Sequence, residues 1–269
     1  MWVLPFGAAR LRLVTLSVAA MIAATGQGGW PLLSARAASI LSESGGFADD
    51  FEAGLSVGKP GGWSLTQIQR GAVTRITRPG EAGSWAVQFT AGAKQGGKVG
   101  KADLVKRFDP IGVGQTISVS ADFYFPAGTP RNSIVLMDME CGSCGLDTNP
   151  GVRVYLRDGR LRVDRSKIGI KDAFMPSVDH QVGPDKWHRI EWRSTLGKDA
   201  AGLTEIFLDG RRVVSASGTN LIDQEIINRL ASITIKERVD RVQLGLTANS
   251  NLQPATLLMD NARIVIGGS

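Results

Sequence analysis

Short stretches in which apolar and polar residues alternate, parted by Gly, Pro, Asn and Asp, run along most of this chain. Alternation of period two places successive side chains on opposite faces of a strand. It predicts strands over 86–90, 116–125, 133–140, 238–249 and 256–266, and two hairpins that turn on Asp-Gly. The pattern breaks once. Leu221, Ile222, Ile226, Ile227 and Leu230 fall at helical spacing, which predicts one short helix over 220–230 capped by Asn220 or Asp223. With no repeat, low-complexity run or linker, the pattern predicts one all-β domain of two packed antiparallel sheets with one short helix.

The hairpin from Gly151 to Ser166 says most about function. Asp158-Gly159 specifies a two-residue turn with positive φ at both positions, and such a turn sets the register. Arg153 then faces Asp164, Val154 faces Val163, Tyr155 faces Arg162, Leu156 faces Leu161 and Arg157 faces Arg160. One side of this hairpin is apolar and belongs to the core. The other holds Tyr155 among Arg153, Arg157, Arg160 and Arg162, with Asp164 as the counter-charge. Such a face is either a solvated outer surface or a groove for something anionic.

The N-terminus changes the picture of where this happens. Arg10 and Arg12 precede an apolar run from Leu13 to Ala24, and Ala35-Arg36-Ala37 comes after it. That is the form of a signal peptide over residues 1–37. The run is shorter than the roughly 20 apolar residues a membrane span needs. Export to the periplasm or beyond is expected, with residues 38–269 as a single domain and no membrane span once the signal is removed. The whole chain carries a formal charge of +6. Arg10, Arg12 and Arg36 would leave with the signal and no acid would, so the remainder is only mildly basic. Nucleic acid is therefore not an expected partner. Cys141 and Cys144 are the only cysteines, and in an oxidising compartment Cys-Gly-Ser-Cys reads as a small structural disulfide.

A resemblance becomes usable at Trp187-His-Arg-Ile-Glu-Trp192 and, after a gap, Ile206-Phe-Leu-Asp-Gly-Arg-Arg-Val213. This resembles the core of concanavalin A-like (laminin G-like) jelly rolls. Phe47-Ala-Asp-Asp-Phe-Glu52 and Leu258-Met-Asp-Asn-Ala-Arg-Ile264 resemble that superfamily's paired first and last strands. Lys101-Ala-Asp-Leu104 and Asp122-Phe-Tyr-Phe-Pro126 resemble strands of bacterial heparin lyase I-like polysaccharide lyases. The resemblance implies a polysaccharide partner, an anionic one given the arginine face. It also implies structural calcium near Glu52 and Asp260, where first and last strands meet; no organic cofactor is expected.

The arginine–tyrosine face suggests a particular chemistry. β-Elimination on a uronic acid needs its carboxylate neutralised, a base for the α-proton and an acid for the leaving oxygen. Tyr155 suits base and acid, because flanking Arg153, Arg157 and Arg162 would favour a phenolate whose ordinary pKa is about 10. The same arginines would clamp a carboxylate. His180, in a loop beside Asp179 and Gln181, is the alternative base, whereas His188 sits in a strand and reads as structural. Arg241 and Gln243 alternate with Val242, Leu244 and Leu246, so they face away from the core, and Lys167 comes directly after the hairpin.

Met137-Asp-Met-Glu140 invites comparison with glycosidases that carry E-x-D-x-E on one strand. A retaining hydrolase needs two carboxylates about 5 Å apart, and Leu136 stands where the first would be. Asp138 and Glu140 are expected to share a face with Ile134 and Leu136, where they either line the groove's edge as substrate-binding residues or simply approach the Cys141 loop. Trp63, beside Gly61-Gly62, is the candidate for an exposed sugar-stacking ring. Three readings remain open: a lyase, a non-catalytic glycan-binding or matrix protein, and a hydrolase using Asp138 and Glu140.

Overall fold

A computed structural model describes residues 46–229 and 232–267 and turns the alternation into a sandwich. The expected signal peptide and Leu230 lie outside the described residues. In chain order the strands are β1 (Gly46–Asp49), β2 (Leu65–Gln69), β3 (Gly71–Thr77), β4 (Trp85–Ala91) and β5 (Gly100–Ile111). Then come β6 (Thr116–Tyr124), β7 (Ile134–Glu140), β8 (Gly151–Arg157), β9 (Arg160–Asp164) and β10 (Ala173–Phe174). The last are β11 (Trp187–Thr195), β12 (Leu203–Leu208), β13 (Arg211–Ser217), β14 (Val239–Asn249) and β15 (Ala255–Gly267). One sheet runs β13-β12-β11-β6-β15-β4-β3, with β1 also on β15, and the other runs β10-β9-β8-β7-β14-β5-β2. All pairings in both are antiparallel.

The inward residues of the two sheets meet in one core. Phe89, Phe123 and Trp192 from the first sheet pack with Leu104, Met137, Met139, Val154 and Leu244 from the second. Each large apolar side chain taken out of water this way contributes about 1.5–3 kcal/mol. Trp63 belongs to this core: it is fully buried, donates its indole N–H to Asp49 at 2.8 Å and lies edge-on to Phe47. That corrects the expectation of an exposed stacking ring there. A glycine-flanked tryptophan is free to swing inward when an acceptor such as Asp49 waits for its N–H.

The expected helix is shorter than its apolar spacing. It spans Gln224–Asn228, with Asp223 as N-cap accepting from Glu225 N at 2.9 Å. Asn220 instead ties loops together, donating to Thr195 O, Leu203 O and Thr204 Oγ1 and accepting from Gly197 N. No helix among the described residues is long and apolar enough to cross a membrane.

Candidate active site

The β8–β9 hairpin forms in the register set by its turn. Asp158 has φ 54° and Gly159 φ 72°, the pair of positive values a two-residue turn of this hand requires. Tyr155 lies opposite Arg162 and Arg153 opposite Asp164, while Val154, Leu156, Leu161 and Val163 are buried. The arginine–tyrosine side is thus the outer face of the second sheet.

Strand β7 supplies the next residues, with a departure from simple alternation. Its register to β8 shifts between Val135 and Met137. This bulge inserts one residue and reverses the facing of the residues after it. Ile134 and Leu136 stay in the core, yet Met137 and Met139 also turn inward, and Asp138 comes to lie opposite Arg153 on the outer face. The expectation that Asp138 and Glu140 share a face with Ile134 and Leu136 is therefore corrected: period-two counting fails across a bulge. On β14, Gln243 lies opposite Asp138 and Arg241 opposite Glu140. Gln243, Asp138, Arg153 and Asp164 consequently form one cross-strand row. Gly151 sits across from Glu140, where an added Cβ would come within 2.1 Å of Met139 O, so only glycine lets the strands approach there.

Lys167 closes this row from above. It belongs to a 3-10 turn, Ser166–Ile168, whose Ile168 is buried and whose C-cap Gly169 is left-handed. With Ile168 anchored in the core, Lys167 projects over the face and binds both Asp138 (3.1 Å) and Glu140. Glu140 also accepts from Gln243 and from Asn149 at 3.2 Å, and Lys101 donates to Gln243 Oε1 at 2.9 Å. Lys101 lies 3.2 Å from Asp103, which is fully buried. Sequence reasoning missed Lys101, Asp103 and Asn149 as site residues. The alternation of Lys101 and Asp103 with Ala102 and Leu104 carried the signal for the first two. Asn149 comes from the loop between β7 and β8, the loop that also carries the Cys141–Cys144 disulfide.

Burial, and then the neighbouring Glu140 charge, pushes the Asp138 carboxyl up to about 8. Burial pushes Asp103 up to about 7 against the pull of Lys101. Lys167 loses some basicity to burial, but the two carboxyls more than restore it and hold it above the ordinary lysine value. Asp260, elsewhere in the fold, is raised by burial to about 6. These three acids keep protons in the folded protein that the unfolded chain sheds above about pH 4. The folded state then binds more protons, so stability falls as pH rises. Asp164, Glu191, Glu237 and Asp240 are shifted down and act oppositely, but only in acid near and below their ordinary range. Calorimetry should accordingly find a higher melting temperature near pH 5 than at pH 8. A melting temperature that climbs between those values would contradict the assignment.

Tyr155 is half-exposed, and its hydroxyl has no hydrogen-bond partner among the described residues. Arg153 is held by Asp164 and by Ser166 Oγ at 3.0 Å. Arg157 is exposed and Arg162 half-buried; neither has an acidic partner among the described residues, and Arg162 Nε is buried with no hydrogen bond. Gln67 Oε1, Asp103 Oδ1 and Asp138 Oδ1 share that condition on the same face. Buried polar atoms are normally satisfied, so this face holds more polar groups than its own side chains pair among the described residues. His180 lies in the loop before β11. Arg160 reaches the adjacent Asp179 at 2.9 Å and Val182 N bonds Gly159 O, which pins this loop to the hairpin tip. His188 is fully buried between Asp209 and Gly183, a structural histidine.

The face is open. Hollows in the surface lie elsewhere: about 350 Å³ at the hairpin tip beside Arg131, Asp158 and Gln181, and about 300 Å³ on the first sheet beside Ser118 and Arg193. Its arginines and tyrosine, not cavity volume, make this face the candidate site.

Residues 55–261 match the family model described as polysaccharide lyase. The chain belongs to the polysaccharide lyase family. Among solved structures, the endo-β-1,4-glucuronan lyase from the fungus Trichoderma reesei is 15% identical with a TM-score of 0.57, covering 81% of this chain and 94% of its own. A cellulose-induced protein, Cip1, is 18% identical with a TM-score of 0.57, covering 83% and 97%. A variant of the alginate lyase Aly36B in complex with an alginate tetrasaccharide is 11% identical with a TM-score of 0.50, covering 82% and 97%. At these identities the likeness establishes the fold. No curated protein sequence matches.

The expected calcium site does not fit this lyase-family chain. Strands β1 and β15 do pair, Gly46 with Val265 through Asp49 with Ala262. Asp260, however, is engaged by Arg78, whose guanidinium also lies 3.2 Å from Glu81 and 3.9 Å above the Trp187 ring. Glu52 accepts from Ser84 Oγ at 2.7 Å and Trp85 N at 3.1 Å. Among the described residues no group of three or more His, Cys, Asp or Glu side chains is placed to hold an ion. An arginine already supplies positive charge beside Asp260, and calcium needs several oxygen ligands at once.

Proposed function

We propose that this polysaccharide lyase is exported and cleaves an acidic, uronate-containing polysaccharide by β-elimination on the outer face of its second sheet. The observation that carries this reading is the free Tyr155 hydroxyl flanked by arginines, two of which, Arg157 and Arg162, lack acidic partners among the described residues. An extended polymer suits an open face better than a closed cavity. Arg153, Arg157 and Arg162 receive the uronate carboxylate and offset its charge, which makes the adjacent α-proton removable. The Tyr155 oxygen takes that proton, a carbon–carbon double bond forms, and the carbon–oxygen bond to the leaving sugar breaks. Tyr155 then returns a proton to the leaving oxygen. Arg241, Gln243 and Lys167 line the path, and His180 stands near the hairpin tip as the alternative base.

Hydrolysis by Asp138 and Glu140 is the weaker reading. Both carboxyls are buried and share one lysine, an arrangement that leaves neither free to attack a sugar. Incubation with a panel of uronate-containing and neutral polysaccharides decides the matter. The expected result is ultraviolet absorbance from an unsaturated uronate product, with neutral polymers untouched. Reducing ends without that absorbance would make the protein a hydrolase, and binding without cleavage would make it a glycan-binding protein.

A further inference from the structure

Beneath the open face lies a closed set of charges. Three buried carboxyls, Asp103, Asp138 and Glu140, are served in direct contact by two lysines, Lys101 and Lys167. The surrounding cations are engaged elsewhere. Arg153 on β8 pairs with Asp164 of β9, and Arg241 on β14 pairs with Asp240 at 3.0 Å. Gln243, also on β14, is neutral, and Tyr155 and Arg162 lie in the next row toward the hairpin turn. Burying a net charge is far more costly than burying a balanced set. One of the three carboxyls must therefore take a proton.

Pairing and hydrogen bonding together select which: Lys101 serves Asp103 alone, at 3.2 Å, whereas Asp138 and Glu140 share the single Lys167. Glu140 has three donors, from Lys167, Gln243 and Asn149. Asp138 has one, from Lys167 on Oδ2, and its Oδ1 is buried without any partner. Asp138 also has Glu140 as its like-charged neighbour. We propose that Asp138 is a positioning residue that stores one proton beneath the site, so that the face binds anionic polysaccharide while the proton is held and weakens its hold once the proton leaves. This rests on the reading of the face as the site for an acidic polymer. It adds a built-in alkaline limit to binding. The upward shift of Asp138 to about 8 has the matching direction: while its proton is held the cluster carries no net negative charge, and above that value a negative charge appears under the arginines. Lys167, shifted upward as well, keeps its charge through this range.

Two measurements test the proposal on the full chain. Carbon-13 carboxyl NMR of the wild type should show one aspartate titrating near pH 8, and the Asp138→Asn variant should lack it. The amide mimics the protonated acid in charge and shape, so this variant should fold. Wild-type binding to a soluble tetra-uronate should weaken about ten-fold from pH 7 to pH 9, as expected for one unit charge roughly 10 Å away at an effective dielectric constant of about 20. Asp138→Asn should bind at all pH values as the wild type does at pH 7. If every buried aspartate titrates in the acid range, or if both proteins lose affinity equally, the proposal is overturned. If the titration near pH 8 is seen but no uronate binds at any pH, the stored proton stands, the binding limit falls, and the reading of the face as an anionic site fails with it.

Discussion

Tyr155→Phe is expected to abolish product formation while leaving polysaccharide binding within a few-fold of wild type. The substitution keeps the ring between Arg153, Arg157 and Arg162 but removes the oxygen that would accept and return the proton. Positioned acid–base groups contribute about 10² to 10⁴ in rate, and one residue filling both roles places the loss at about 10³ or more. The hydroxyl has no protein partner among the described residues, so its removal strands nothing, and the fold should be unaffected. Arg157→Ala gives the contrasting result. It removes a charge-assisted contact worth about 1.5–3 kcal/mol, so binding itself should weaken by roughly 10- to 150-fold and fall further with added salt. Assays of turnover and of binding on the same polymer separate the two outcomes. A Tyr155→Phe variant with full turnover would place the base elsewhere, and His180 would be the residue to replace next.

Lys167→Met should produce the largest stability loss of any single change on this face. The methionine keeps the length and apolar character of the stem. It leaves Asp138 and Glu140 buried together with no shared cation. Breaking a buried ion pair in this way costs about 3–5 kcal/mol, which for a domain of this size is roughly 10 °C in melting temperature. The loss should depend on pH with a defined sign. A buried carboxyl left without a cation can lose its charge by taking a proton, which costs little in acid and more as pH rises. Urea midpoints for wild type and variant should therefore be close at pH 5 and well apart at pH 8. An equal difference at both values would mean that Lys167 contributes packing alone. In that case the balanced charge set drawn around it would be wrong.

The hairpin shows how far local sequence reaches. Asp158-Gly159 demands positive φ at two successive residues, and that demand alone set five cross-strand pairs, the core side, and the arginine–tyrosine side. His188 in a strand read as structural and is buried between Asp209 and Gly183. The short helix was found by spacing but overextended, because apolar residues at 221 and 222 serve the core from a loop as well as they would from a helix. These are properties of neighbours in the chain, and neighbours in the chain are what periodicity measures.

Alternation and turn residues, whose physics acts within a few positions, were enough to specify an all-β chain with one short helix and which residues share one hairpin face. Which distant groups meet that face was settled by long-range packing. The bulge between Val135 and Met137 turned Asp138 outward, and only the pairing of β7 with β8 and β14 reveals it. Lys101 and Asp103 reached the site because β5 lies beside β14. Trp63 went inward to Asp49, and Arg78 came to rest beside Asp260 where a metal was expected. Each of these depends on burial and on charge balance among residues far apart in the chain, and no local pattern encodes either.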